Sequence, residues 1–253
     1  ELPHIHNIVV KIGSRILSGP GHSDRIKSLT KDIITLQKNG LRVILVSSGA
    51  IAHGMNSLGL QNRPTTIPLQ QACASIGQNR LMSIYENAFK PYNALIGQVL
   101  LTWDDLRSKK RYLNLRNTLF QLLSCNVIPI VNENDTIAVD EIRLGDNDTL
   151  AALVAGLIDA ELLIILSDIE GLYNANPRED KNAELISEVD EITFEIEKLA
   201  GGAGSKHGTG GMLTKLQAAK ICMNSGIPVI LASGIRPQVL HNILSGEQLG
   251  TLF

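Results

Sequence analysis

The chain has 253 residues, of which 44% are hydrophobic and 19% charged, and its formal net charge at pH 7 is −2. A chain of this length can bury a sizeable core, and its apolar content excludes an intrinsically disordered protein, whose signature is low hydrophobicity with high net charge. The near-neutral balance and the 4% of aromatic residues argue against nucleic acid and against an anionic membrane surface as partners.

Apolar runs that predict buried strands alternate along the chain with patterns that predict amphipathic helices. In chain order we predict a strand at 8–12, a helix over 26–36, a strand at 41–46, a helix at 68–90, a strand at 94–100, a helix at 113–123, a strand at 127–131, a hairpin at 137–144, a helix at 149–158, a strand at 162–166, a glycine-rich loop at 201–211, a helix at 213–225 and a strand at 227–232. Asn39 and Gly40 are predicted to end the first helix, since glycine suits the left-handed residue that follows a helix.

This alternation predicts the α/β class, with a mostly parallel central sheet between two layers of helices in a three-layer α/β/α sandwich. Continuous apolar runs such as 43–46 favour the same class, because they indicate strands that are buried on both faces. The sequence has no internal repeat and no Pro/Ser-rich linker, so we expect a single domain over residues 1–253.

Polar residues and glycines follow four of the predicted strands and precede the last predicted helix. They lie at residues 13–14, 47–50, 132–135, 167–168 and 208–215. Ligands of parallel sheets bind beyond the carboxyl ends of the strands. These segments together therefore predict a phosphate-binding face at one edge of the sheet.

Each segment alone also has a simpler interpretation. Lys11 could be a strand-end lysine that reaches solvent, although Gly13 would let a ligand approach the backbone closely. Residues 47–49 suit a helix N-cap, and residues 145–148 suit a turn that leads into the next helix. Residues 208–211 could form a flexible loop, but glycine amides at a helix entrance, with Lys215 about one turn inside, are typical of a phosphate cradle.

The common nucleotide and metal motifs are absent. The sequence contains no G-x-x-x-x-G-K-[ST], which excludes a P-loop enzyme, and no G-x-G-x-x-G, which disfavours a dinucleotide-binding protein. It contains no H-E-x-x-H and no C-x-x-C pair. The cysteines Cys73, Cys125 and Cys222 are far apart and odd in number, so they predict a reducing, cytoplasmic location rather than a disulfide framework.

Six motifs, taken in order, resemble those of the amino acid kinase family. They are V-V-K-I-G-S at 9–14, S-S-G-A-I at 47–51, N-E-N-D at 132–135, G-D-N-D at 145–148, S-D-I-E-G-L-Y at 167–173 and G-T-G-G-M-x-T-K at 208–215. The resemblance runs from residue 8 to residue 253. The N-E-N-D and G-D-N-D pair favours the members that act on glutamate over those that act on aspartate, acetylglutamate, carbamate or uridylate.

The resemblance implies an activity as well as a fold. It implies transfer of the γ-phosphoryl group of ATP to the γ-carboxylate of L-glutamate, which gives L-glutamyl 5-phosphate in the first step of proline biosynthesis. It also implies Mg²⁺, small-molecule partners, proline as a feedback ligand and a homodimer or homotetramer. Many family members carry a C-terminal PUA domain, and we expect this chain to consist of the kinase domain alone.

The resemblance also implies roles for individual residues. The catalytic residues would be Lys11, Asp148 and Lys215, with the two lysines on the phosphates and the aspartate holding both lysines in place. Glutamate would be bound by Ser48, Gly49, Ala50, Asp135 and Asn147. ATP would be bound by Lys11, Gly13, Ser167, Asp168, Thr209, Gly210, Gly211, Met212 and Lys215.

The chemistry of this reaction agrees with the residues available. A carboxylate with a reference pKa of about 4.3 is ionised at neutral pH and needs no general base, so catalysis depends on positioning and charge stabilisation. Three alternatives stay open: a kinase of this family with another acceptor, a non-catalytic nucleotide-binding regulator, and a generic α/β domain with polar loops. The complete set of Lys11, Asp148 and Lys215 argues against the regulator.

Overall fold

The computed structural model describes residues 5–19, 21–137, 146–177, 179–200 and 211–253. These residues form a seven-stranded sheet. Its strands are β1 (Asn7–Ile12), β2 (Arg42–Ser47), β3 (Ile96–Leu101), β4 (Ile128–Glu133), β5 (Leu162–Ser167), β6 (Val229–Ser233) and β7 (Thr251–Leu252). Every residue of β1, β4 and β5 is buried, as expected for strands with helices over both faces.

The order of the strands places β1 at the centre of the sheet. The order is β3-β4-β2-β1-β5-β6-β7, and all neighbours are parallel except β6 and β7. Lys11, the second-last residue of β1, pairs with Val46 on one side and with Ile165 on the other. The carboxyl ends of six parallel strands therefore meet at one edge of the sheet, with Lys11 in the middle.

Helices connect the strands. They are α1 (His22–Lys38), α2 (Ala50–Ser57), α3 (Ile67–Phe89), α4 (Trp103–Arg107), α5 (Lys109–Ser124), α6 (Asn147–Leu157), α7 (Phe194–Ala200), α8 (Met212–Met223) and α9 (Val239–Leu244), with one 3-10 turn at Lys90–Tyr92. Asn39 caps α1 and is followed by Gly40 with φ +88°, in the left-handed region that glycine tolerates. Pro68 lies in the first turn of α3, where its missing N–H is not needed.

Two hydrophobic cores lie on opposite faces of the sheet. Ile8 and Val10 of β1 share one core with α1, α3 and α9. Val9, between them, shares the other core with α5, α6 and α8. Because side chains alternate along a strand, Lys11 is directed to the same face as Val9, toward α6 and α8. The predicted three-layer α/β sandwich with a mostly parallel sheet is confirmed.

The long helices and strands were predicted from the sequence, and the short ones were not. The six predicted strands match β1 to β6 within two residues at each end, and the five predicted helices match α1, α3, α5, α6 and α8 within four residues. Four short helices (α2, α4, α7 and α9) and the two-residue strand β7 were not predicted, because so few residues carry no clear period.

The remaining predictions fall mainly outside the described residues. The predicted hairpin at 137–144 lies outside them apart from Ile137, which is in a turn, and the glycine-rich loop at 201–211 lies outside them apart from Gly211. Across the described ranges, no helix combines the length and the hydropathy that crossing a bilayer requires.

Candidate active site

Three charged residues that are far apart in sequence meet at the carboxyl edge of the sheet. Lys11 comes from β1, Asp148 is the second residue of α6, and Lys215 lies in the first turn of α8. The Nζ atom of Lys11 lies 2.5 Å from Oδ1 of Asp148, and the Nζ atom of Lys215 lies 3.1 Å from Oδ2. The aspartate thus bridges two ammonium groups, one on each oxygen.

This ionic cluster is buried. The exposed fraction of Lys11 is 6%, that of Lys215 is 5% and that of Asp148 is 1%. The alternative that Lys11 is a strand-end lysine in solvent is therefore wrong. Lysine is seldom buried without a partner, and here one carboxylate serves both lysines.

The electrostatics of the cluster depend on Asp148. Burial is the main influence on Lys11 and lowers its pKa; Asp148 offsets part of this effect, and Lys215 adds to it. Burial alone would raise the pKa of Asp148, but the two ammonium groups outweigh it and hold that pKa below its usual value. Asp148 is therefore ionised at neutral pH, and its charge favours the ammonium form of Lys11.

Two further residues orient Asp148; both lie within the motifs quoted above, but neither was assigned a role there. Asp146 caps α6, where its Oδ1 atom accepts hydrogen bonds from the backbone N–H groups of Asp148 (2.7 Å) and Thr149 (2.9 Å). Thr214 donates its hydroxyl to Oδ2 of Asp148 at 2.8 Å. Asp146 was predicted only as part of a turn that leads into this helix, which agrees with its position as the N-cap residue.

A second group of predicted residues forms the end of β2 and the start of α2. Gly49 is the N-cap residue of α2, with φ +105°, in the left-handed region that favours glycine. Ser48 and Gly49 are half-buried and Ala50 is buried. The first amides of α2 lie at this edge of the sheet, where a helix N-terminus favours an anionic group.

Asn147, the first residue of α6, connects this segment to β4. Its Nδ2 atom lies 2.6 Å from the carbonyl oxygen of Ser47, 2.9 Å from Oγ of Ser48 and 2.9 Å from Oδ1 of Asn132. Asp135 lies two residues beyond the end of β4, in a turn at the same edge, and is half-buried. Two of the residues predicted to bind glutamate, Ser48 and Asn147, are therefore in direct contact.

The residues predicted to bind ATP lie on the other side of Lys11. Gly13 follows β1 and donates its N–H to the carbonyl oxygen of Leu166 at 3.1 Å. A Cβ at Gly13 would lie only 3.2 Å from that oxygen, so the two strand ends are close together. Ser167 is the buried last residue of β5, and its Oγ lies 3.3 Å from Oδ1 of Asp168.

Asp168 has a partner that the sequence analysis missed. Nη1 of Arg15, in the segment after β1, lies 2.5 Å from Oδ2 of Asp168. Burial would raise the pKa of Asp168, but the hydrogen bond and the charge of Arg15 outweigh it and lower that pKa. Gly211 is the N-cap residue of α8, a Cβ there would meet no atom of the described residues within 4 Å, and Met212 begins that helix. Thr209 and Gly210 lie outside the described residues.

The chain was compared with protein families and with known proteins. The model of the amino acid kinase family matches residues 7–233. A glutamate 5-kinase of Syntrophotalea carbinolica is 50% identical over 254 residues, which cover 100% of this chain and 68% of that protein. A glutamate 5-kinase of Clostridium acetobutylicum is 49% identical over 255 residues, which cover 100% of this chain and 96% of that protein.

Solved structures of low sequence identity share the fold. The UMP kinase of Ureaplasma parvum aligns with a TM-score of 0.66 at 15% identity, and the carbamate kinase of Giardia lamblia bound to AMP-PNP aligns with a TM-score of 0.67 at 18% identity. Each alignment covers 98% of this chain and 98% of the other. The family model, two relatives of about half-identical sequence and the motifs from residue 9 to residue 215 agree: the chain belongs to the amino acid kinase family.

Proposed function

We propose that the chain is a glutamate 5-kinase, which transfers the γ-phosphoryl group of ATP to the γ-carboxylate of L-glutamate in the first step of proline biosynthesis. The observation that carries the proposal is the buried cluster of Lys11, Asp148 and Lys215 at the carboxyl edge of the sheet. Sequence identity of about 50% to glutamate 5-kinases over the full chain supports glutamate as the acceptor.

The cluster suits the electrostatic problem of this reaction. An anionic carboxylate must approach an anionic triphosphate, and negative charge spreads over the transferring oxygens. Lys11 and Lys215 place two ammonium groups on either side of Asp148, within a buried and therefore low-dielectric region, where such charges act more strongly than in water. Their role is to contact the phosphoryl oxygens, and the role of Asp148 is to keep both ammonium groups oriented.

The acceptor glutamate would lie on the β2 and β4 side of Lys11. The Nδ2 group of Asn147 is already surrounded by the acceptors of Ser47, Ser48 and Asn132, so Asn147 would bind glutamate through its Oδ1 atom. Ser48 would donate its hydroxyl to the carboxylate groups of glutamate, together with the amides of Gly49 and Ala50 at the start of α2. Asp135 would pair with its ammonium group. An amino acid carries both charges, so a site with helix amides and a carboxylate at one edge is suited to both ends of the molecule.

The nucleotide would lie on the β5 and β6 side. Gly13 is bonded through its N–H to Leu166 and so lies beside Ser167 and Asp168, which offer hydroxyl and carboxylate groups for ATP. Gly211, Met212 and Lys215 form the entrance of α8, where backbone amides and the helix dipole favour phosphate. The same role is proposed for Thr209 and Gly210.

The donor set agrees with Mg²⁺ carried by the nucleotide. Both oxygens of Asp148 already bind lysine ammonium groups, and the described part of the chain contains no group of three or more His, Cys, Asp or Glu side chains that could hold a metal ion. Mg²⁺ retains several waters and uses few protein carboxylates when it binds phosphates. It would neutralise phosphate charge while bound mainly to ATP oxygens and water.

The proposal is tested by ATP-dependent formation of γ-glutamyl hydroxamate from glutamate and hydroxylamine. We expect product with glutamate and little with aspartate or N-acetylglutamate at equal concentration. A preference for either of the other acceptors would contradict the proposal. ATP binding without hydroxamate from any of the three would instead favour the regulator.

The arrangement also predicts a role for the Thr214 hydroxyl in that assay. Thr214→Val removes the hydroxyl donor to Asp148 at nearly constant side-chain volume. A hydrogen bond to a charged group stabilises its partner by about 1.5–3 kcal/mol. We therefore expect kcat to fall roughly tenfold. Thr214→Ser keeps the hydroxyl and should stay within about threefold of the parent protein, since one methyl group is all that changes. Equal kcat values in Thr214→Val and Thr214→Ser, measured by ADP release, would show that the hydroxyl is dispensable.

The same proposal covers organisation and regulation. The described residues contribute to one sheet with helices on both faces, which supports treating residues 1–253 as a single kinase domain. Assembly as a homodimer or homotetramer and inhibition by proline complete the proposal. Light scattering tests the first, and a proline titration in the hydroxamate assay tests the second.

A further inference from the structure

Helix α3 contacts the acceptor side of the candidate site through residues that no motif includes. Gln78 and Tyr85 are seven residues apart, which places them on one face of the helix two turns apart. The Oε1 atom of Gln78 accepts a hydrogen bond from Nδ2 of Asn132 at 2.9 Å. The hydroxyl of Tyr85 lies 2.8 Å from Oγ of Ser47, at the end of β2.

The close approach of α3 depends on two glycines. A Cβ on Gly77 would overlap the carbonyl oxygen of Ala50, and a Cβ on Gly54 would overlap the carbonyl oxygen of Cys73. The backbones of α2 and α3 therefore touch beside the segment that would bind the substrate. Gln78, the residue after Gly77, is held at this contact.

Gln78 ends a series of side-chain amides that we call the amide relay, made of Asn147, Asn132 and Gln78. Asn147 donates to Oδ1 of Asn132, and Asn132 donates through Nδ2 to Oε1 of Gln78. Asn147 also contacts the hydroxyl of Ser48. The relay thus connects α3, through β4 and α6, to the segment after β2.

Backbone groups fix the direction of the amide relay. The carbonyl oxygen of Ser47 can only accept, so the atom of Asn147 that faces it is the nitrogen. The backbone N–H of Glu133 can only donate, so the atom of Asn132 that faces it at 2.9 Å is the oxygen. The nitrogen of Asn132 is thereby turned to Gln78, which must present an oxygen.

The other end of the Gln78 amide is unused. Its Nε2 atom is buried and has no hydrogen-bond partner among the described residues. A buried donor without a partner destabilises a protein, so the amide nitrogen gives no structural reason for glutamine at this position. Within the described ranges, the hydrogen bond that its oxygen accepts from Asn132 is the interaction that accounts for glutamine here.

We propose that Gln78 is a positioning residue for the acceptor site: by accepting from Asn132 it sets the amide relay and so holds Asn147 against Ser48, whose hydroxyl is thereby oriented for the substrate carboxylate. The inference rests on the proposed function, because it takes glutamate as the acceptor. Gln78 acts through Asn132 and belongs to the glutamate side of Lys11, so its loss should affect glutamate and leave ATP unaffected.

The test compares two substitutions at Gln78 with a control on the same helix. Gln78→Met keeps the length of the side chain and removes the acceptor oxygen. We expect the KM for glutamate to rise about tenfold and the KM for ATP to stay within about twofold, because one hydrogen-bonded contact is lost on one substrate only. Gln78→Glu keeps an oxygen that can accept and should restore the KM for glutamate to within about threefold of the parent protein. Asn79→Met places the same side chain at an exposed neighbour and should leave both KM values unchanged.

The outcomes separate the inference from the proposed function. If the parent protein forms no hydroxamate from glutamate, the proposed function fails. If the parent protein is active and Gln78→Met has an unchanged KM for glutamate, or raises both KM values equally, the positioning role is wrong. A Gln78→Glu variant as impaired as Gln78→Met would also overturn it, because the amide nitrogen would then be the important group.

If Gln78→Met does not fold, a further substitution, Gln78→Asn, still tests the inference. Gln78→Asn keeps the amide but withdraws its oxygen by one methylene, beyond reach of Asn132, and should reproduce the raised KM for glutamate. Thermal unfolding and circular dichroism identify variants that fold. If Gln78→Met is unfolded, a normal KM in folded Gln78→Asn overturns the inference.

Discussion

Replacing Asp148 by asparagine is expected to lower kcat for glutamate phosphorylation by roughly 100- to 1,000-fold, by analogy with the loss of one preorganised transition-state group. The substitution keeps the shape of the side chain but removes the negative charge between Lys11 and Lys215, whose ammonium groups lie 2.5 Å and 3.1 Å from its oxygens. Two buried ammonium groups would then repel each other without a counterion.

The pH dependence gives this prediction a second readout. Burial already lowers the pKa of Lys11, and Asp148 opposes that shift. Without Asp148 the pKa of Lys11 falls further, so Lys11 loses its proton at a lower pH. The residual activity of Asp148→Asn should therefore decline at a lower pH on the alkaline side than the activity of the parent protein, as measured by kcat at a series of pH values.

The matched control for this change is Asp159→Asn. Asp159 pairs with Arg116 at 2.7 Å, and the side chain of Asp159 is 73% exposed. An exposed ion pair contributes little, so kcat and its pH profile should not change. Near-normal turnover in a folded Asp148→Asn protein would contradict the role that we assign to Asp148.

Replacing Gly77 by alanine is expected to destabilise the protein by about 3 kcal/mol, at the upper end of the usual cost of overpacking. The added methyl group would overlap the carbonyl oxygen of Ala50, and two helix backbones must separate to accept it. Because Ala50 begins α2 beside Ser48 and Gly49, this separation should also raise the KM for glutamate. Denaturant unfolding measures the first effect and steady-state kinetics the second.

Gly156→Ala is the control for this substitution. Gly156 lies inside α6, and a Cβ there would meet no atom within 4 Å among the described residues. Alanine is favoured over glycine in a helix interior by up to about 1 kcal/mol, so stability should stay the same or rise. A Gly77→Ala protein as stable as Gly156→Ala would show that α2 and α3 tolerate a wider separation.

The fold was predictable because its elements have strong local signals. The strands β1, β4 and β5 contain apolar runs of three to five residues, and α3 and α5 are long helices, α3 with a proline in its first turn. α2 has eight residues, with a glycine as its N-cap residue and another inside it, and β7 has only two residues. Their positions are decided by contacts with the rest of the fold, which a local pattern does not contain.

The candidate site was predictable only as a set of residues. Motifs indicated Lys11, Asp148 and Lys215, but their meeting at Asp148 follows from the central position of β1 and from the starts of α6 and α8. Thr214 lies within the motif at 208–215, but its role could not be predicted because one hydroxyl in a helix entrance has many possible uses. Gln78 was hidden because its neighbours in the amide relay lie 54 and 69 residues away in the sequence.

The glycine contact between α2 and α3 has a consequence for sequence variation. Gly54 and Gly77 each face a backbone atom of the other helix, the carbonyl groups of Cys73 and Ala50. A larger residue at either position cannot be compensated by a smaller one opposite, because every residue has the same carbonyl group. Although the two helices touch here, these glycines should show no covariation with their contact partners among homologues, and each is constrained on its own.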